Sequence, residues 1–147
     1  MDGFDVGVQD MTTTMKPRIA VLNLGVADLA RSRAFYEGMG WVARPESSER
    51  AVFFELEWSW LALFPRDRLA SLSKSSPEGS GYPGFCFSHN VKTREEVNAI
   101  LERAKELGGS VVLEPEDGPE RRIGYMADPD GFQWEIAWTP KWHELTD

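Results

Sequence analysis

A single carboxylate set in an aromatic strand is the group in this chain best suited to chemistry: Glu135, flanked by Trp134 and Ile136 in the run Phe132 to Trp138. Strand alternation turns Glu135 away from the side on which its two apolar neighbours meet a helix. A carboxylate there is costly to desolvate unless it is protonated or a donor reaches it. It is either held structurally by an Arg or Tyr, or it serves a ligand as hydrogen-bonding anchor or general base. His89, on the expected strand Gly84 to Val91, shares the parity of Phe85 and Phe87. That parity predicts an inward direction, with the imidazole at the rim of the same cavity. It could work there near neutral pH, or simply fix backbone or water. Tyr125, Trp60 and Phe64 are expected to wall a ligand site, a role compatible with core packing.

Other chemistries find no support. There is no Gly-x-Ser-x-Gly elbow, and Cys86 is expected to alternate toward the helix side with no base beside it. Gly79-Ser80-Gly81 lacks the following helix and lysine of a phosphate loop. Arg121 and Arg122 read as a solvated pair offsetting Glu114, Glu116, Asp117 and Glu120, and His143 as surface in the tail. With 24 acidic and 16 basic side chains the net charge is −8, which repels a nucleic-acid backbone and an anionic membrane. One cysteine allows no internal disulfide, and no apolar run reaches the roughly 20 residues of a membrane span. The start, Met1 to Lys16, is acidic and polar where a secretory signal needs a basic end and an apolar stretch. These features predict a cytoplasmic protein with a disordered leader over 1–17.

The elements that must position these residues recur in two rounds. Ile19 to Val26 is β-branched and apolar, and Asp28 is placed to cap a helix whose stripe is Leu29, Ser32, Phe35, Tyr36 and Met39, closed by Gly38 and Gly40. Strands are expected over Trp41 to Arg44, Ala51 to Glu57 and Trp60 to Phe64. Pro65 to Pro83, rich in Ser, Gly and Pro, reads as a connection. The pattern then restarts with Gly84 to Val91. Thr93 and Glu96 form a capping box before the stripe Val97, Ile100, Leu101 and Ala104, which Gly108 ends. Strands fit Ser110 to Leu113, Arg122 to Ala127 and Phe132 to Trp138, with Asp128-Pro129-Asp130-Gly131 as the last hairpin turn. The reading is one α+β domain over 18–140: two tandem βαβββ modules (18–65 and 84–140, linker 66–83) forming a curved mixed sheet around a central cup, helices outside, with a tail over 141–147.

Two passages, Leu24 to Trp41 (LGVADLARSRAFYEGMGW) and Ile123 to Trp138 (IGYMADPDGFQWEIAW), together with His89 to Gly109, resemble the vicinal oxygen chelate superfamily, which includes glyoxalase I, extradiol dioxygenases, fosfomycin-modifying enzymes and bleomycin-binding proteins. The resemblance covers nearly all of Arg18 to Pro140. In the metal-dependent members each half supplies two ligands, of His, Gln or Glu type, to one divalent ion. By that resemblance the four positions fall on Val21, Ala62, Phe85 and Glu135, so three of them carry no donor atom. A slip of two residues would bring in Asn23 or His89, and Phe132 stands where the family usually has His. No cofactor is expected, with an ion held in some other way as the alternative. The expected ligand-binding set is therefore Val21, Asn23, Trp60, Ala62, Phe64, Phe85, Phe87 and Tyr125, with Glu135 and His89 as the groups for chemistry. The resemblance implies a metal-independent small-molecule-binding protein, and a homodimer. The alternative is a lyase, isomerase or dioxygenase using Glu135 with an atypical metal site or as a metal-free acid/base.

Overall fold

Asp28 starts the first helix as its position predicts. Its Oδ1 accepts the Arg31 amide at 3.0 Å, filling one of the donors a helix N-terminus leaves open. In this computed structural model, which describes residues 13–146, that helix is α1 (Leu29–Gly38). It buries Ser32, Phe35 and Tyr36 and ends where Gly40 turns to φ 112°, a left-handed conformation that suits glycine. Residues 1–12 of the expected leader lie outside the described residues; 13–17 are exposed and belong to no helix or strand.

Around α1 stands a sheet of β1 (Val21–Val26), β2 (Val52–Glu55) and β3 (Trp60–Pro65), in the order β1-β3-β2, with β1 and β3 parallel and β2 and β3 antiparallel. The strand expected over Trp41 to Arg44 reduces to one bridge, Ala43 to Phe54. Trp41 is drawn inward to stack on Tyr36 at 5.1 Å, and Pro45 directly afterwards has no N–H to extend a ladder. The connection after β3 also departs from expectation, because it opens with a helix, α2 (Arg66–Leu72). The Ser, Gly and Pro that mark it as irregular lie beyond that helix, while Arg66-Asp67-Arg68-Leu69-Ala70 contains mostly good helix formers.

The second half repeats the plan with β4 (Phe87–Val91), α3 (Arg94–Glu106), β5 (Ser110–Gly118), β6 (Arg121–Ala127) and β7 (Gln133–Trp138), ordered β4-β7-β6-β5. Again the first and last strands pair in parallel and the rest antiparallel; the Ala43 bridge occupies the place that β5 fills here. Thr93 caps α3 by accepting the Glu96 amide at 3.2 Å, while its hydroxyl meets the Glu96 carboxylate at 3.1 Å. β5 runs past Leu113 to Gly118 through two register shifts. Its charges and Pro115 disguise it as a loop, yet they suit an exposed edge strand. Each sheet carries its helix on one face, so the protein is α+β with helices outside open sheets. A short 3-10 turn, Pro140–Leu145, follows.

The helix-side faces share one core, from Leu24, Val26 and Phe54 through Phe35 and Tyr36 to Val97, Leu101, Met126, Trp134 and Ile136. The Asp128 to Gly131 turn clasps the halves together. Asp130 accepts the Ala27 amide (2.8 Å), the Ser32 hydroxyl (2.6 Å) and Arg31 Nη2 (3.2 Å), while buried Asp128 accepts the Tyr36 hydroxyl at 2.6 Å. No helix among the described residues is long and apolar enough to cross a membrane.

Candidate functional site

Glu135 sits in the middle of β7, and its carboxylate lies on the open face of the second sheet. Register places Ser88 of β4 and Tyr125 of β6 on either side of it. The Ser88 hydroxyl donates to Oε1 and the Tyr125 phenol to Oε2, each at 2.9 Å. The carboxylate is thus held by a tyrosine, one of the two partners the sequence suggested, and also by a serine. Its hydrogen bond to Glu135, then burial, push the Tyr125 phenol up to about 12, with Cys86 and Tyr82 near enough to add to the rise. Tyr125 therefore remains a proton donor across the physiological range, while the free lone pairs of Glu135 can accept from a ligand's N–H or O–H groups.

His89 and Phe87 do not join this group. Phe87 pairs in register with Trp134 and His89 with Ile136, so both lie on the helix-packed face, opposite Glu135. The inward direction expected for them is corrected by burial: Phe87 packs on Trp134 with ring centres 4.7 Å apart, and Val91 is buried, which commits residues 87, 89 and 91 to the core side. The pattern Phe-Ser-His-Asn-Val held that signal, since the polar Ser88 and Asn90 share one parity and the apolar Phe87 and Val91 the other. The same register corrects the helix-side placement of Cys86, which is exposed and acts electrostatically on Tyr125. A Glu135–His89 acid/base pair is thereby lost, because the sheet stands between the two side chains. Burial lowers the pKa of His89, so its imidazole is neutral at neutral pH. Phe85, 43 % exposed, touches the rings of Phe87 and Phe132.

On the first sheet, register gathers Val21 and Asn23 with Trp60, Ala62 and Phe64 on one face, together with Phe53 and Glu55, which the sequence reading missed. Their arrangement is more closed than a cup wall. Phe53 meets Trp60 at 6.4 Å and Phe64 at 6.2 Å, and Ala62 has no exposed surface. Arg44 lies over the Trp60 ring at 4.1 Å and is ion-paired with Glu46 and Glu55, which raise its pKa. Asn23 is exposed. Arg122 pairs with Asp117 at 3.1 Å and donates to Asn98, and His143 is exposed beside Glu144.

Concave space lies elsewhere, in hollows open to solvent at the junction of the halves. One hollow of about 240 Å³ is lined by Tyr36, Met39, Trp41, His89, Ala99, Ile100, Arg103, Met126, Trp134 and Ile136. A wider one of about 660 Å³ runs along the outer edge of β4 and the β2–β3 hairpin and shares Trp41, His89 and Trp134 with the first. Neither takes in Glu135, Tyr125, Val21, Asn23, Trp60, Ala62 or Phe64.

A divalent ion would fit poorly at Glu135. Both carboxylate oxygens are engaged by hydroxyl donors, the first sheet offers Val21 and Ala62 at the expected ligand positions, β4 presents Ser88 beside Glu135 while Phe85 packs on Phe87 instead, and among the described residues no three His, Cys, Asp or Glu side chains converge as metal ligands.

The sequence model of the family described as "Glyoxalase/Bleomycin resistance protein/Dioxygenase superfamily" matches residues 18–136. Among solved structures, a glyoxalase-related enzyme from Fulvimarina pelagi is 32 % identical with a TM-score of 0.77, over 84 % of this chain and 89 % of that one. A glyoxalase/bleomycin resistance protein/dioxygenase family enzyme from Burkholderia phytofirmans PsJN is similar in fold at 20 % identity and a TM-score of 0.72, over 83 % of this chain and 98 % of that one. A lactoylglutathione lyase from Agrobacterium tumefaciens shares the fold at 22 % identity and a TM-score of 0.62, over 87 % of this chain and 98 % of that one.

Proposed function

Since the chain belongs to the glyoxalase/bleomycin resistance protein/dioxygenase superfamily, we propose that it binds a small amphipathic molecule on the open side of its sheets, by hydrogen bonds and apolar contact rather than through a chelated metal. The observation that carries this reading is the Ser88–Glu135–Tyr125 triplet, a carboxylate steadied by two hydroxyls in a place where a metal-dependent member needs converging ligands. With its two supporting donors committed, Glu135 offers acceptor capacity, so the complementary ligand is a donor such as an amine, amide or polyol with an apolar body. The chain's charge of −8 favours cationic over anionic candidates.

The open face is unfinished in one chain. Leu113 (42 % exposed), which pairs with Tyr125, and Tyr82 (66 %), near enough to act on that phenol, border the triplet without cover. A second copy of the chain supplies the facing wall in this reading, in keeping with a homodimer and a cytoplasmic binding protein.

The test is thermal shift and calorimetric titration of metal-stripped protein against a cationic glycopeptide of the bleomycin type and a panel of aromatic amines. A ligand at a hundred times its Kd stabilises the folded state by about 2.7 kcal/mol. Binding by the wild type, weakened at least tenfold in Glu135→Gln with the fold intact, is the expected result. Stoichiometric Ni, Zn, Mn or Fe in protein purified without chelator, or equal affinity of the two proteins for every binder, would overturn it.

A further inference from the structure

We propose that the hollow between α1, α3 and the helix-side face of the second sheet is a second binding site, independent of Glu135, for a small aromatic acid. Three observations lead there. The first is size and lining: an apolar cavity of about 150 Å³ takes a benzene ring, and this one measures about 240 Å³, with Trp41 and Trp134 edge to face at 5.7 Å among Met39, Ile100, Met126 and Ile136. The hollow opens to solvent past exposed Ala99, Arg103 and His89, and its apolar floor with a few polar groups at the rim is the form small-molecule sites take.

The second is the polar content of the lining. The Tyr36 hydroxyl is fully used, donating to Asp128 and accepting from Trp134 at 3.2 Å. What remains is the Arg103 guanidinium and the His89 imidazole. Arg103 spends Nε on the Gly38 carbonyl (3.3 Å) and Nη1 on Glu106 (3.0 Å), leaving Nη2 free for an acceptor. His89, at the exposed rim, makes no hydrogen bond with any described residue; partial burial lowers its pKa, while the Glu96 and Glu57 carboxylates act on it in the opposite sense. A carboxylate is the group that a spare guanidinium N–H and an imidazole N–H both satisfy, a local pairing that works against the chain's overall charge of −8.

The third is access. The same His89, Trp41 and Trp134 border the neighbouring hollow of about 660 Å³, which provides an entry route along the edge of β4. A planar ring in the apolar part with its carboxylate turned toward Arg103 and His89 fits all three. This face is separated by the sheet from the triplet on β7, so the site stands or falls apart from the function proposed above.

The probes are indole-3-carboxylate and uncharged indole, titrated into protein carrying labelled isoleucine and methionine methyl groups. Ring-current shifts are expected at Ile100, Ile136, Met39 and Met126, with Ile123 unmoved, because Ile123 pairs with Ala137 on the open face. Ala99→Trp, a substitution at an exposed lining position, plugs the hollow and should abolish the shifts for both probes while leaving the unfolding midpoint near that of wild type. Arg103→Met should weaken the carboxylate about tenfold and leave indole unchanged. Absence of shifts at millimolar probe, movement of Ile123 instead of Ile100 and Ile136, or equal loss of both probes in Arg103→Met would overturn the proposal.

Discussion

Removing one oxygen atom, by Tyr36→Phe, measures how firmly the two halves are joined. The Tyr36 hydroxyl donates to Asp128 Oδ2 at 2.6 Å and accepts from the Trp134 indole at 3.2 Å. The other Asp128 oxygen keeps the amides of Asp130 and Phe132, both at 2.9 Å, so the variant strips one side of the carboxylate only. A hydrogen bond to a charged group contributes about 1.5–3 kcal/mol, and an indole N–H left without a partner costs about 1 kcal/mol at this length and burial. The phenyl ring stays in place, so no cavity is added. The expected loss is therefore about 2–4 kcal/mol, seen in urea unfolding as a lower midpoint at unchanged slope and in thermal unfolding as a fall of roughly 5–15 °C.

The pH dependence of that loss has a definite sign. Burial raises the pKa of Asp128, so the folded state holds its proton more tightly than the unfolded chain, and the resulting stability fades as pH rises from the usual carboxylate value through the raised one. Without the phenol the bare carboxylate is still more costly, so the deficit of Tyr36→Phe should be largest at neutral pH and shrink on acidification. Burial, then Asp128, lift the Tyr36 phenol well above 10, so the wild type should lose more stability than the variant as pH climbs past 10, when the unfolded Tyr36 phenol ionises and the folded one does not. A loss under about 0.5 kcal/mol at pH 7, or one independent of pH, would show that water replaces the hydroxyl and would refute the picture of a dry clasp.

Three further outcomes are expected. Asp130→Ala removes the acceptor for the Ala27 amide and the buried Ser32 hydroxyl and should cost about 2–3 kcal/mol, with faster hydrogen exchange of the Ala27 amide as the local readout. In absorbance titration at alkaline pH, Glu135→Gln should bring the phenol that ionises at about 12 back toward 10, and Tyr125→Phe should remove one high-pH step and leave that of Tyr36; a titration that Glu135→Gln leaves unchanged would sink the Glu135–Tyr125 pairing. Gly109→Ala would set a methyl group 2.5 Å from the Ala127 carbonyl oxygen and 2.9 Å from Phe35, so it should destabilise by on the order of 2 kcal/mol in urea unfolding, whereas a neutral effect would mean that the turn after α3 shifts freely.

Local chemistry and periodicity were enough to read the two-round order of elements, the Asp28 and Thr93 caps, the buried stripe of α1 and the turn of Glu135 away from the helix-packed side, because each depends on residues within a few positions of one another. The resemblance supplied the family. Neighbouring elements decided the rest. The direction of β4 depended on which of two alternating faces buried more apolar surface, and only packing against Trp134 settled it, moving His89 away from Glu135 and bringing Ser88 toward it. Asp128 and Asp130 look like turn residues in the sequence, and their grip on Tyr36, Ser32 and Ala27 spans about a hundred positions. The junction hollow arises because two bulky indoles and two helices meet there without filling the space, and no pattern along one chain segment records a volume shared among four.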